Sequence, residues 1–159
     1  MRAARIVAIV TLLFLALSAI AGALPMLTHP MGGPGLMPLT LLQHSPFHSF
    51  LIPALLLLSA NGLLSLWALF LTVQRHPGYG WWVGAQGFVL TGWLVVEIVM
   101  MYSVVGLHWL QILYGIVALV LIVAGVVLVR GRTNVSSNRL SFGSSPIHGL
   151  PRATRHKDS

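Results

Sequence analysis

Glu97 is the only acidic residue inside the long apolar stretches of this sequence, since the second acid, Asp158, lies close to the C-terminus. At a rise of 1.5 Å per residue, Glu97 falls about 8 Å from the middle of a membrane-spanning helix. A charged carboxylate at that depth is costly, so Glu97 is expected to be neutral or to have hydrogen-bond donors around it. Ionisable groups inside a membrane usually mark a functional site, which makes Glu97 the first candidate.

Four further side chains are expected in the same layer as Glu97. Trp93 precedes it by one helical turn and carries an indole N–H donor. Gln111 and Tyr114 open the next apolar stretch, and His108 lies in the very short link before it. Two interpretations stay open. Glu97, Gln111 and Tyr114 form a neutral hydrogen-bonded clasp between two helices, or the group forms a site for a ligand or a proton.

Two amide side chains also fall inside the apolar stretches. Asn61 lies near the middle of the second stretch, and Gln86 lies near the start of the third. Amides inside a membrane commonly hydrogen-bond to a neighbouring helix. Both are therefore interpreted first as structural contacts, and Asn61 is also kept as a candidate member of a pocket around Glu97.

Histidines suggest a weaker hypothesis, a metal site. His44 and His48 are four residues apart, so on a helix they would share one face, and His29 lies in the same loop. Zinc or copper is conceivable there with Glu97 below, but Pro46 stands between the two histidines and disturbs the helical spacing. Solvated or interfacial histidines are the favoured interpretation. The chain has no cysteine, which excludes disulfides and thiolate metal sites.

The sequence shows no catalytic constellation. A nucleophile elbow, a phosphate-binding glycine loop and a pair of neighbouring carboxylates are all missing. A single buried carboxylate cannot divide acid and base roles between two groups. An enzymatic role and a bound cofactor are therefore not expected.

Composition indicates a membrane protein. Hydrophobic residues make up 57% of the chain and charged residues 7%, whereas soluble domains carry about 25% charged residues. Four apolar stretches, at about 6–24, 50–73, 81–102 and 110–129, each approach the roughly 20 residues that cross a bilayer as helix. Residues 1–130 are predicted to form one all-α membrane domain with an outer loop at 25–49, and residues 131–159 a disordered basic tail.

Basic residues predict the orientation of these helices. With four spans, all nine Lys and Arg residues fall on one side, and the two connections on the other side contain none. The positive-inside rule then places both termini in the cytoplasm and explains the net charge of +7 without nucleic acid. Residues 1–23 also resemble a cleavable signal peptide, but their apolar run is longer than the usual core of such a signal. An uncleaved first helix is favoured.

Small and polar residues form one stripe on each apolar stretch, at alternating steps of three and four. Membrane helices associate through such residues, and this repeat is typical of left-handed crossings near +20°. An up-down-up-down four-helix bundle with the stripes inward is therefore predicted. The stripes are Ala8, Thr11, Leu15, Ser18 and Gly22; Ala54, Leu58, Asn61, Ser65, Ala68 and Thr72; Gln86, Leu90, Trp93 and Glu97; and Gln111, Gly115, Ala118, Ile122 and Gly125.

About half of the chain, from Ser45 to about Gly125, resembles a group of small, uncharacterised bacterial membrane proteins. The resemblance implies a four-span fold in a bacterial plasma membrane and implies no activity. Ala54 stands where such proteins have glycine. The residues that carry the resemblance are Ser45-Pro46-Phe47, Leu51-Ile52-Pro53, Asn61-Gly62, Trp93 with Glu97, Leu110-Gln111 and Tyr114-Gly115.

Taken together, these features predict a binding or accessory module in the membrane with an outward-facing polar pocket. The pocket would contain Glu97, Trp93, Gln111 and Tyr114, and its ligand would be a lipid, a small amphiphile or a helix of a partner membrane protein. A proton-coupled small transporter subunit that uses Glu97 is the alternative, and at this size it would need to form a homo-oligomer. An outer-side metal-binding protein is the weaker alternative.

Overall fold

The computed structural model describes residues 2–32, 47–106 and 108–142, and its regular elements there are all helical. They are α1 (Arg2–Thr28), α2 (Leu51–Val73), α3 (Tyr79–Val105) and α4 (Trp109–Phe142). Each of the four is long and apolar enough to cross a membrane. The prediction of an all-helical chain with four candidate spans is therefore confirmed.

Three helices are longer than predicted, α1 and α4 by the most and α3 by five residues. Helix α1 continues through Pro25 to Thr28. Proline removes one N–H donor, but its carbonyl oxygen still pairs, and it accepts the His29 N–H at 3.0 Å. Helix α4 continues to Phe142, so residues 131–142, which were predicted to be disordered, are helical. That stretch contains no proline, and its serine and asparagine residues lower helix propensity without removing an N–H donor.

The helices pack in a ring, in which α1 and α3 each contact both α2 and α4. Helices α1 and α2 are antiparallel, as contacts at their two ends show. At one end, Arg5 Nε donates to the Thr72 carbonyl oxygen at 3.1 Å and Arg5 Nη2 to that of Val73 at 3.2 Å. At the other end, the Phe50 N–H donates to the Pro30 carbonyl oxygen at 2.8 Å. The Arg5 guanidinium thus donates to the last carbonyl oxygens of α2, where a positive charge is favourable.

The end of α2 is a Schellman motif. His76 N–H donates to the Leu71 carbonyl oxygen at 3.0 Å and Arg75 N–H to that of Thr72 at 3.4 Å. Arg75 takes the left-handed position of the motif, with φ of 55°, where glycine is usual. The chain therefore turns within five residues from α2 into α3, as the short link predicted.

Glycines bring the backbones of α3 and α4 into direct contact. A Cβ atom added to Gly125 would lie 2.5 Å from Gly84 N and 2.6 Å from Gly84 Cα. A Cβ atom on Gly87 would lie 2.9 Å from the carbonyl oxygen of Ala118. Such close approach is how membrane helices gain packing energy, because lipid tails offer apolar side chains no advantage inside the bundle.

The stripe predicted for α2 is largely inside the bundle, since Asn61, Ser65, Ala68 and Thr72 are fully buried. The stripe predicted for α1 is displaced. Its Thr11, Ser18 and Gly22 are only half-buried, and the fully buried face of α1 is made of alanine and leucine. That face consists of Ala8, Leu12, Leu15, Ala16, Ala19 and Ala23.

Replacement of Gly125 by alanine is expected to destabilise the bundle. The new methyl group would overlap the Gly84 backbone, which has no side chain to move aside, and overpacking of this kind costs about 1–3 kcal/mol. The measurement is thermal unfolding in neutral detergent micelles. Gly84→Ala is the matched control, because its Cβ atom would lie 3.8 Å from Gly125 Cα, an ordinary contact. Equal losses of stability in the two variants would contradict the packing described here.

Candidate functional site

The middle of α2 is a π-helix. Residues Leu57–Leu63 pair in five-residue steps, and the last such bond runs from the Leu64 N–H to the Ser59 carbonyl oxygen. Segments of this kind are rare and often occur at functional sites. This one carries Asn61 and Gly62, which both face the interior of the bundle.

The π-helix also provides the main polar contact between α2 and α3. After Leu64 the backbone hydrogen bonds return from five-residue to four-residue spacing. The next carbonyl oxygen in order, that of Ala60, therefore receives no backbone hydrogen bond. Gln86 Nε2 donates to this Ala60 oxygen at 3.1 Å. The predicted structural role of Gln86 is therefore confirmed, and its partner is a backbone group that the sequence pattern does not reveal.

Four polar atoms beside this contact have no hydrogen-bond partner within the described protein. They are both amide atoms of Asn61, the Ser65 hydroxyl oxygen and Gln86 Oε1, and all three residues are 0% exposed. The bond across helices that was predicted for Asn61 is thus not made. A buried polar group without a partner costs about 1–3 kcal/mol. Because the set mixes donors and acceptors, its missing partner must be able to donate and accept, as water, hydroxyl and amide groups do.

A cavity of about 210 Å³ lies between the helices next to Asn61. It extends from Asn61, near the middle of α2, to Phe50 at the start of that helix, a distance of about 16 Å along the axis. Its wall is mostly apolar. The lining residues are Leu15, Ser18, Ala19, Gly22, Met26, Phe50, Pro53, Leu57, Asn61, Leu90, Trp93, Leu94, Val96, Glu97, Met100 and Tyr114.

The cavity is open on one flank, between α2 and α3. The lining residue Val96 is 47% exposed, and Pro53 and Met100 are half-buried. The first turns of α2, residues Leu51–Leu56, pack mainly against α1 and not against α3, so α2 and α3 are separated at the end of the bundle where α2 begins. Below Asn61 the interior is filled by Ser65 and other fully buried side chains, and the cavity is blind at that end.

Glu97 and Trp93 lie together in the cavity wall. Glu97 is half-buried, and the Trp93 side chain, one helical turn earlier, lies within reach of its carboxyl group. Counting along the antiparallel helices from the bond between Gln86 and Ala60 places Glu97 level with Phe50. The same counting from the contact of Gly84 with Gly125 places Tyr114 level with Val95, between Trp93 and Glu97. Among the described residues, no lysine, arginine or histidine lines this cavity.

Gln111 does not belong to this group, which contradicts the predicted clasp. Its Oε1 accepts the His108 backbone N–H at 3.1 Å, and His108 Nδ1 accepts the Leu110 N–H at 3.4 Å. This reciprocal pattern is a capping box with histidine at the N-cap, and it serves the N–H groups that open α4 without helical partners. Tyr114 does line the cavity, and its ring stacks on Phe14 with 6.3 Å between centroids.

The histidine hypothesis finds no support in the part of the chain that the structure describes. His29 is exposed, with Nδ1 2.8 Å from its neighbour Thr28's carbonyl oxygen, and His48 is exposed in a bend before α2. The helical spacing assumed for His44 and His48 does not apply, because α2 begins at Leu51 and His44 lies outside the described residues. Within those residues, no three metal-ligating side chains come together.

Comparison of the chain with family models, curated proteins and solved structures gives no match. The class of protein therefore follows from the structure alone: a multi-pass helical protein with four candidate membrane-spanning helices.

Replacement of Gln111 by leucine is expected to loosen the start of α4. Loss of the acceptor for the His108 N–H costs about 1 kcal/mol and raises hydrogen exchange at residues 108–111, measured by mass spectrometry. Gln111→Glu is the matched control, since it keeps the acceptor and places a negative charge at a helix N-terminus, where such charge is favourable. Equal exchange in the two variants would contradict the capping role.

Proposed function

We propose that this protein binds a small amphiphile in the cavity between its four membrane-spanning helices. The observation that carries the proposal is a mostly apolar cavity beside the fully buried Asn61 amide, neither polar atom of which has a partner in the described protein. A ligand with an apolar body and polar groups, alone or with a bound water, matches such a wall, because pockets of this kind use a few polar groups to orient an otherwise apolar ligand.

The open flank supports entry from the lipid. It lies between Pro53 of α2 and Val96 of α3, where a helix bundle in a membrane faces hydrocarbon. A chain-like molecule dissolved in the bilayer could pass this flank without crossing water. The cavity is closed below Asn61, which favours binding over a continuous transport path in this conformation.

The protein is proposed to lie in the bacterial plasma membrane with both termini in the cytoplasm. Arg5 and the α2–α3 link with Arg75 share one end of the bundle, and this end also contains the start of α1. Basic residues concentrate on the cytoplasmic side of membrane proteins. The cavity, Glu97 and the link at His108 then belong to the outer half.

Fluorescence of Trp93 tests the binding proposal, because Trp93 is the only one of five tryptophans in the cavity wall. The others are 40–74% exposed and can be replaced by phenylalanine. Brominated decanol, a quencher, is titrated into this single-tryptophan protein in maltoside micelles. The quenching is expected to saturate, whereas a variant that keeps only the exposed Trp67 shows quenching proportional to concentration. Proportional quenching in both proteins would contradict a binding cavity.

A leucine in the cavity wall is expected to abolish the saturable quenching of Trp93. Gly22 lines the cavity, and a Cβ atom there makes only an ordinary 3.5 Å contact with Leu57, so Gly22→Leu fills space without backbone overlap. Gly92→Leu is the matched control, since Gly92 is exposed, lies outside the lining and has no atom within 4 Å of an added Cβ. Saturation that survives Gly22→Leu would place the bound quencher elsewhere.

Cysteine labelling tests the orientation, because the natural chain has no cysteine and each introduced one is unique. His48 and Gln74 are exposed at opposite ends of the bundle. In intact cells, a membrane-impermeant maleimide is expected to label His48→Cys, and to label Gln74→Cys only after permeabilisation. The reverse pattern would overturn the proposed orientation.

A further inference from the structure

We infer that the ligand is a hydrophobic cation, a single apolar chain with an ammonium group held by Glu97 and the aromatic side chains of Trp93, Tyr114 and Phe50. The inference rests on the proposed function and assigns the chemical class of the amphiphile. It is carried by the charge of the cavity, by its aromatic residues and by its shape.

Charge gives the first reason. Glu97 is the only acidic residue that the structure describes, and none of the lining residues described carries a positive charge. Trp93 offers one N–H donor, whereas a carboxylate has about four acceptor sites. An ammonium group supplies both the missing charge and further donors. A neutral ligand provides no counter-charge, so Glu97 would have to stay protonated beside it, and a carboxylate ligand would be repelled by the charged form of Glu97.

Aromatic residues give the second reason. Phe50, Trp93 and Tyr114 line the same end of the cavity as Glu97, at two adjacent levels of the bundle. Phe14 stacks on Tyr114 and helps to fix the orientation of its ring. Aromatic faces around a carboxylate are a recurrent way to bind ammonium groups, because the ring faces carry negative potential.

Shape gives the third reason. The cavity is about 210 Å³ in volume, larger than the ~150 Å³ cavity that holds benzene in another protein, yet it is about 16 Å long. A narrow space of this kind accepts one chain rather than two. With the ammonium at Glu97, the chain runs past Leu57, Leu90 and Leu94 toward Asn61.

Three brominated probes with the same chain test this inference in the protein that keeps only Trp93: decyltrimethylammonium, decanol and decanoate. Maltoside micelles are used because their head groups carry no ammonium. The ammonium probe is expected to reach half-saturation at a concentration at least about tenfold lower than decanol, in line with the strength of hydrogen bonds and contacts to charged groups. Decanoate is expected to bind more weakly than decanol.

Glu97→Gln is expected to remove the preference for ammonium and to change the decanol midpoint by no more than about twofold, because the amide keeps the shape of the carboxyl group. Asp158→Asn is the matched control, as it removes the other carboxylate of the chain, and the tenfold preference should remain. A melting curve shows whether the Glu97→Gln variant folds. If it does not fold, the order of the three half-saturation concentrations in the protein with Glu97 still tests the inference.

Equal midpoints for ammonium and decanol, or decanoate binding as tightly as ammonium, would overturn the inference and leave the proposed function intact. Absence of saturation with all three probes would instead remove the proposed function. Competition then separates the sources of the ammonium group. Displacement by single-chain lysophosphatidylethanolamine but not by lysophosphatidylglycerol indicates a lipid head group, displacement by neither indicates a free single-chain ammonium compound, and equal displacement by both overturns the inference.

Discussion

Close approach of two helix backbones is the contact on which the rest of this structure depends, because apolar side chains gain nothing by leaving lipid for a bundle. Gly84 and Gly125 make that contact between α3 and α4. It lies toward the end of the bundle where α3 begins, and there the interior is filled. Beyond Leu90 the wall of α3 changes to Trp93, Leu94 and Glu97, which require more room. Tight packing at one end and bulky side chains at the other leave the cavity between them.

The π-helical turn in α2 explains how polar groups reach the bottom of that cavity. One extra residue per turn displaces the face of the helix, so that Asn61 is fully buried at the cavity floor. The same turn frees the Ala60 carbonyl oxygen, which Gln86 uses to hold α3 in place. The displacement therefore has two effects. It creates a firm contact between α2 and α3, and it places beside that contact an amide that lacks a protein partner. A purely α-helical segment would supply neither the free carbonyl nor its bond.

The sequence predicts the elements of this structure better than their exact contacts. The lengths of the apolar stretches identify four helices. The stripe on α2 identifies buried positions such as Ser65 and Thr72, because burial of these positions follows from helical periodicity alone. The pairing of Trp93 with Glu97 follows from a single helical turn. The role predicted for Gln111 is wrong. Residue type shows that an amide needs partners but does not show which ones, and the backbone N–H of His108 lies nearer to Gln111 than the predicted partners do. The π-helix has no signature in the pattern, as it depends on backbone pairing.

Helix α4 has a mechanical consequence. It runs without interruption from Tyr114 in the cavity wall to Phe142, although its contact with the start of α3 is at Val129. Thirteen residues of α4 follow Val129 and extend the helix by about 20 Å along its axis. A rod held at one end amplifies small rotations at the other. A slight tilt of α4 on entry of a ligand would thus displace its far end by more than it displaces the wall itself, which turns occupancy of the cavity into movement at a distance.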